Sequence, residues 1–316
     1  MVETWVEELF KLISSRELSL ESISAAQNMK REHFPGSLFK FREVNDYSLS
    51  NLRDSTLHLT FASKFNDPYD SAVDFDPHFG TTHVELLLNG TEGMSGDHRS
   101  SILSAEDPML EMVRYYHLVS TEEHVDEDAL IKVAAVMKEL HAGFVAKLVN
   151  DMNRRLQNSY KICSLTERLD SLPLWAHYGD NHAGFAMEYD FSSLPADNLA
   201  GLCLWPVRYG GVFNASELLR GIRPGDNFNN LFGLVAALNK SPDWEYEREW
   251  RLVLIDGAND PPRNFYAPLK SVFLGSKISE EDEGRVIQSA KLAEVPVFKM
   301  HLVSHEFRME AKPYQE

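Results

Sequence analysis

Short stretches of alternating apolar and polar residues are scattered through this chain of 316 residues. They are separated by segments of helical periodicity and never settle into a regular strand, helix, strand cadence. Alternation at period two marks a strand with one buried face, whereas recurrence at three and four residues marks the apolar stripe of a helix. Strands are therefore expected at 37–42, where Lys40 and Arg42 share a face, and at 55–61, 160–165, 184–189, 202–209, 250–255, 270–274 and 296–302. Helices are expected at 4–13, 18–29, 48–53, 126–155, 172–178, 218–221, 228–239 and 280–292, the last opened by Ser279 and Asp282 in capping-box spacing. Such dispersion predicts a single α+β domain over 1–316, with a mixed or mostly antiparallel central sheet and helices packed around it. Residues 1–34 read as a helical N-terminal extension and 107–156 as a helical insertion. Its long helix packs an amphipathic face and breaks near Gly143. The polar segment 80–107 reads as a flexible loop or insertion.

Hydrophobic residues make up 43% and charged residues 25% of the chain, enough for a core that needs no metal or disulfide. Cys163 and Cys203 stand in apolar surroundings without paired spacing, as reduced core residues of a cytoplasmic protein do. The amino terminus lacks a basic leader, and no uncharged run approaches the roughly 18 to 20 residues of a membrane span. With 48 acidic and 31 basic residues the net charge is -17. That field opposes non-specific binding to nucleic acid or to anionic lipid. A small anionic ligand held by a local basic cluster remains compatible with it, because screening confines the global field to short range. GxGxxG, GxxxxGK[ST] and HExxH are all missing, so the usual dinucleotide, P-loop and zincin scaffolds are excluded.

Three stretches carry the distinctive chemistry. The first pairs Leu38-Phe39-Lys40-Phe41-Arg42 with Phe65-Asn66-Asp67-Pro68-Tyr69-Asp70. The second joins Cys163-Ser164-Leu165-Thr166-Glu167 to Leu174-Trp175-Ala176-His177-Tyr178-Gly179-Asp180-Asn181-His182-Ala183-Gly184-Phe185. The third is Trp244-Glu245-Tyr246-Glu247-Arg248-Glu249-Trp250-Arg251-Leu252. In this order and spacing the chain resembles the bacterial family of unknown function 2971 from about residue 38 to 302. That resemblance places a site without naming a reaction.

Read physically, Pro173 starts a short helix and Gly179 stops it, which sets Trp175 and Tyr178 on one face. A structural reading puts Trp175 in the core and lets Asp180 and Asn181 cap a turn. A functional reading makes Trp175, His177, Tyr178 and Asn181 an aromatic and polar pocket for a planar ligand. His177 and His182 are poorly spaced for a metal, and no metal is expected. A strand through 247–251 places Glu247, Glu249 and Arg251 on one face, costly unless paired or functional; the plainer alternative is an Arg251–Glu249 salt bridge at an exposed edge.

The constellation is also similar to the arginine, serine, glutamate pattern of the ADP-ribosyltransferase superfamily, through Arg42 (or Lys40), Ser164-Leu165-Thr166 and Glu247-Arg248-Glu249. The similarity implies NAD as substrate and a macromolecular acceptor. Under it Glu249 holds the ribose hydroxyl and steadies an oxocarbenium-like transition state. Arg42 grips the pyrophosphate, Ser164 orients the nicotinamide, Trp175 or Tyr178 stacks on it, and Glu247 positions the acceptor. Two other readings stay open. One is a metal-dependent hydrolase or nuclease of a phage-defence or toxin system, collecting a divalent cation on Asp67, Asp70 and the glutamates. The other is a non-catalytic sensor of a nucleotide-like ligand.

Overall fold

The apolar run at 160–165 becomes β4 (Tyr160–Thr166), the strand around which the sheet is organised. The computed structural model describes residues 4–315 apart from 16, 75–83, 86, 89–93, 121–125, 217–228, 230 and 256–262. One edge of β4 pairs along its whole length with β10 (Glu249–Ile255), which in turn carries β6 (Leu204–Pro206). Its other edge is divided. β2 (Thr56–Phe61) pairs with Lys161 and Ile162, and β1 (Leu38–Arg42) meets β4 only at Phe39 and Thr166.

From β2 the sheet continues to β11 (Arg263–Tyr266), and from β1 to β5 (Phe185–Tyr189), β12 (Leu269–Leu274), β13 (Val297–Leu302) and β14 (Met309–Pro313). Within this sheet the pairings among the described residues are antiparallel except β12 with β13, so the α+β architecture with a mixed, mostly antiparallel sheet is as the patterning predicted. Alternation sorts the side chains onto two faces. Leu38, Leu57, Leu59, Cys163, Leu165, Trp250 and Leu252 join Leu49 and Leu52 of α3 (Asp46–Arg53) in the larger core. Phe39, Phe41, Ala186 and Phe273 join Leu174 and Trp175 in the smaller one.

The chain folds as two compact units: Met1–Ala72, Arg155–Val212 and Asn229–Glu316 form the first, and Val73–Arg154 with Phe213–Phe228 the second. In the second unit Ile102, Met109, Met112, Val113 and Ala134 form a core of their own. Where a flexible loop or insertion was expected at 80–107, Ser95 caps a helix at Gly96–Ser104; 80–83, 86 and 89–93 lie outside the described residues. The long helix runs unbroken from Glu127 to Ser159, because an interior glycine such as Gly143 costs only about 1 kcal/mol against alanine and does not force a break. Its apolar face is not wholly packed either, since Leu140 is 69% and Phe144 58% exposed.

Other boundaries moved for local reasons. The strand expected at 202–209 begins as a helix at Leu199–Cys203 with Asn198 as its cap. Of the helix expected at 228–239, the described residues form helix at Phe232–Ala237, followed at once by β9 (Asn239–Lys240); 228, 230 and the helix expected at 218–221 lie outside the described residues. Among the described residues no helix is long and apolar enough to cross a membrane.

Candidate functional site

The division of β4 leaves the Ser164 carbonyl facing Lys40, whose Nζ donates to it at 2.7 Å. Residues of β1 and β4 on either side of this gap line a cavity of about 700 Å³ together with α7 (Leu172–Tyr178), the loop after it, the 65–70 loop and the start of β10. (Gly96–Ser104, Pro108–Ser120 and Glu127–Ser159 are α4 to α6.) Clefts of this size suit small-molecule ligands.

The loop after α7 is unusual. Asp180, Asn181 and His182 adopt φ of 48°, 53° and 73° in succession. Left-handed backbone costs an L-residue about 1–2 kcal/mol, least for Asp and Asn, and histidine is also enriched there. The cost is met by Asn181 N to Ala176 O at 3.3 Å, His182 N to Trp175 O at 3.1 Å and Gly184 N to Gly179 O at 2.8 Å. Gly184 is required, since a Cβ there would sit 2.1 Å from the Arg42 carbonyl oxygen. The glycine thus seats the loop directly against β1 and holds Asp180 and Asn181 at the cavity.

A second local device brings two carboxylates together. Glu247 is not on the strand, as its spacing suggested; it ends a 3₁₀ turn (Pro242–Glu247), and Arg248 then takes a left-handed φ of 44° before β10 begins at Glu249. Both carboxylates converge on Lys240, whose Nζ donates to Glu247 Oε2 at 2.6 Å and to Glu249 Oε2 at 2.8 Å. Arg251, completely buried, donates from Nε to Glu249 Oε1 at 2.8 Å and from Nη1 and Nη2 to the two oxygens of Asp70 at 2.7 and 2.6 Å. Its Nη1 also reaches the Ala237 carbonyl at 2.6 Å. Tyr178 Oη donates to Glu247 Oε1 at 3.0 Å, Thr166 Oγ1 donates to the Glu247 carbonyl, and Glu249 N donates to Tyr209 Oη at 2.7 Å.

This geometry sets the ionisation. Burial pushes the Glu249 carboxyl upward, but Arg251 and Lys240 outweigh it and hold the pKa down at about 2. Burial likewise opposes the Lys240 charge, and Glu249 and Glu247 reverse it so that Lys240 stays protonated. The Tyr178 phenol is pushed well above its ordinary range by burial and by Glu247. Lys40, without a carboxylate in contact, is lowered by burial with repulsion from Arg42 adding to it.

Arg42 stands apart from this satisfied network. Among the described residues its guanidinium has no hydrogen-bond or ion-pair partner, and its Nε is buried. A buried donor left unmade costs about 1–3 kcal/mol, and it fronts the cavity.

Of the ten candidate residues, Lys40, Arg42, Ser164, His177, Tyr178, Asn181, Glu247 and Glu249 line this cavity. Trp175 does not: its ring is buried edge-on to Phe41, 4.8 Å between centroids, and its Nε1 donates to the Leu169 carbonyl at 2.8 Å. The Trp175 ring therefore does not face the cavity, while Tyr178, 38% exposed, stays at the rim. Arg251 lies beneath the cavity and meets Glu249 as an interior pair rather than at an exposed edge. Asp70 is engaged by Arg251, and Asp67 accepts from Trp244 Nε1 at 3.2 Å, so two cations and an indole take the places a divalent ion would need. Among the described residues no cluster of His, Cys, Asp and Glu could hold a metal.

Sequence reasoning missed Lys240, Tyr209 and the pairing role of Asp70. Lys240 sits on a two-residue strand with no periodicity to mark it. The only signal was its place shortly before two nearby glutamates that needed a cation.

Residues 174–252 match the model of a family described as Protein of unknown function (DUF2971). The match covers His177, Tyr178, Asn181, Lys240, Glu247, Glu249 and Arg251, whereas Lys40, Arg42 and Ser164 fall outside it. No curated protein matches the chain, and no solved structure does.

Proposed function

We propose, taking as premise that residues 174–252 belong to the DUF2971 family, that this chain is an NAD-utilising enzyme of the ADP-ribosyltransferase type. The observation that carries the reading is the meeting, at one cavity, of a guanidinium that has no partner among the described residues and carries a buried donor with a buried pair of carboxylates. A dinucleotide has anionic phosphates for the first and ribose hydroxyls for the second. Lys40 adds positive charge beside Arg42, and Ser164 lies between them and the glutamates in chain order and on the central strand.

In this reading the bond between ribose C1′ and nicotinamide nitrogen breaks, and nicotinamide leaves neutral with the bonding electrons. Glu249, kept ionised by Arg251 and Lys240, stabilises the positive charge that develops on the ribose. A nucleophile of the acceptor then bonds to C1′ and gives up its proton to solvent water. Glu247, held by Lys240 and Tyr178, orients that nucleophile. We place the activity in the cytoplasm, where Cys163 and Cys203 remain free thiols.

The test is mass-spectrometric measurement of nicotinamide after incubation with NAD and a cell extract. Wild type releases nicotinamide and modifies a macromolecule; Glu249→Gln slows release by about 100-fold or more, the loss typical of a removed transition-state contact. Binding of NAD without release identifies a nucleotide sensor and overturns transfer. Absence of both release and a rise in Tm with NAD removes the reading altogether.

A further inference from the structure

A second cavity, of about 600 Å³, shares Asn66 and Lys240 with the first and has a different chemistry. Tyr69 and Trp244 supply aromatic surface, and Asp67 and Asp243 supply carboxylates. Among the described residues its one lining cation is Lys240, whose charge is already balanced by Glu247 at 2.6 Å and Glu249 at 2.8 Å. Among the described residues an anion entering here meets no free positive charge, whereas a cation meets the negative charge of Asp67 and Asp243 and the faces of electron-rich rings.

We infer that this second cavity is a recognition site for an organic cation, a guanidinium or alkylammonium group. The parts are fixed before a ligand arrives. Trp244 Nε1 donates to Asp67 Oδ2 at 3.2 Å, and Tyr69 N donates to Asp67 Oδ1 at 2.9 Å, so ring, acid and backbone are tied to one another. The Trp244 indole already stabilises one ammonium, with Lys240 Nζ 5.0 Å from the ring centroid. Tyr69 is 71% exposed at the mouth, the kind of exposed aromatic that a stacking ligand covers. Asp243 is exposed too and its Oδ2 accepts from Ser241 Oγ at 3.3 Å, leaving Oδ1 for a ligand. The net charge of -17 further raises the local concentration of cations. None of this depends on NAD as the ligand of the first cavity.

The experiment is calorimetric titration of the full chain with agmatine, with inorganic phosphate and with adenosine, and with agmatine again for a Tyr69→Ala, Asp243→Asn double variant. Both substituted side chains are exposed, so folding, read by Tm, stays as in wild type. The inference expects saturable agmatine binding at one site, weakened on the order of tenfold in the double variant, and no phosphate binding that agmatine displaces. Failure of agmatine to saturate, or equal affinity in the double variant, overturns it. Adenosine binding that is tighter than agmatine and lost in the double variant also overturns it, in favour of a nucleobase.

Discussion

Replacing Arg251 by methionine keeps an apolar stem of similar reach and deletes a charge that is completely buried. The guanidinium makes bonds of 2.6 to 2.8 Å to both Asp70 oxygens, to Glu249 Oε1 and to the Ala237 carbonyl. Its loss leaves Asp70 without a partner cation and Glu249 with Lys240 alone. Breaking a buried pair from one side costs about 3–5 kcal/mol, whereas an exposed Arg–Glu pair would cost at most about 1 kcal/mol. The pH dependence adds a second signature. The Glu249 pKa is depressed from 4.5 to about 2, so the associated stability is present above about pH 4.5 and is lost as pH falls toward 2. At about 1.4 kcal/mol per unit this amounts to about 3 kcal/mol in wild type. With Arg251 gone most of that component disappears, so the variant is penalised heavily near pH 7 and much less near pH 3. Urea unfolding of both proteins at the two pH values measures the difference. A penalty below about 1 kcal/mol at pH 7, or an equal penalty at both pH values, refutes the buried network.

Gly184→Ala forces a Cβ to within 2.1 Å of the Arg42 carbonyl and is expected to lower stability by about 1–3 kcal/mol, read as a lower urea midpoint with an unchanged slope. Asp180→Val places a β-branched residue at φ 48° and is expected to cost about 1–2 kcal/mol, while Asp180→Gly is neutral or stabilising in the same assay. Tyr178→Phe removes the 3.0 Å bond to Glu247 and is expected to cost about 1 kcal/mol by thermal melting.

What the sequence revealed followed the range of the interactions involved. Local alternation exposed the strands at 38–42, 56–61, 160–166 and 185–189, and Pro173 with Gly179 bracketed α7 within a residue. The turn at Asp180 and Asn181 was readable, because Asp and Asn side chains tolerate left-handed backbone; its extension to His182 was not. Arg248 was not, since arginine has no such preference and its φ of 44° is imposed by the 3₁₀ turn meeting β10. Non-local partners stayed hidden: nothing near Arg251 indicates Asp70, 181 positions away. Short edge strands such as β11 and β14 take their conformation from a neighbour rather than from their own pattern.

The most direct test of the account is calorimetric titration of NAD into wild type and into Arg42→Ala. Because Arg42 has no bonding partner among the described residues, its truncation leaves the fold intact and removes only the group waiting for an anion. The account predicts saturable binding to wild type and at least about tenfold weaker binding to the variant, whose Tm is no lower because an unmade buried donor has been removed. Undetectable binding to wild type, or equal affinity in the two proteins, contradicts it.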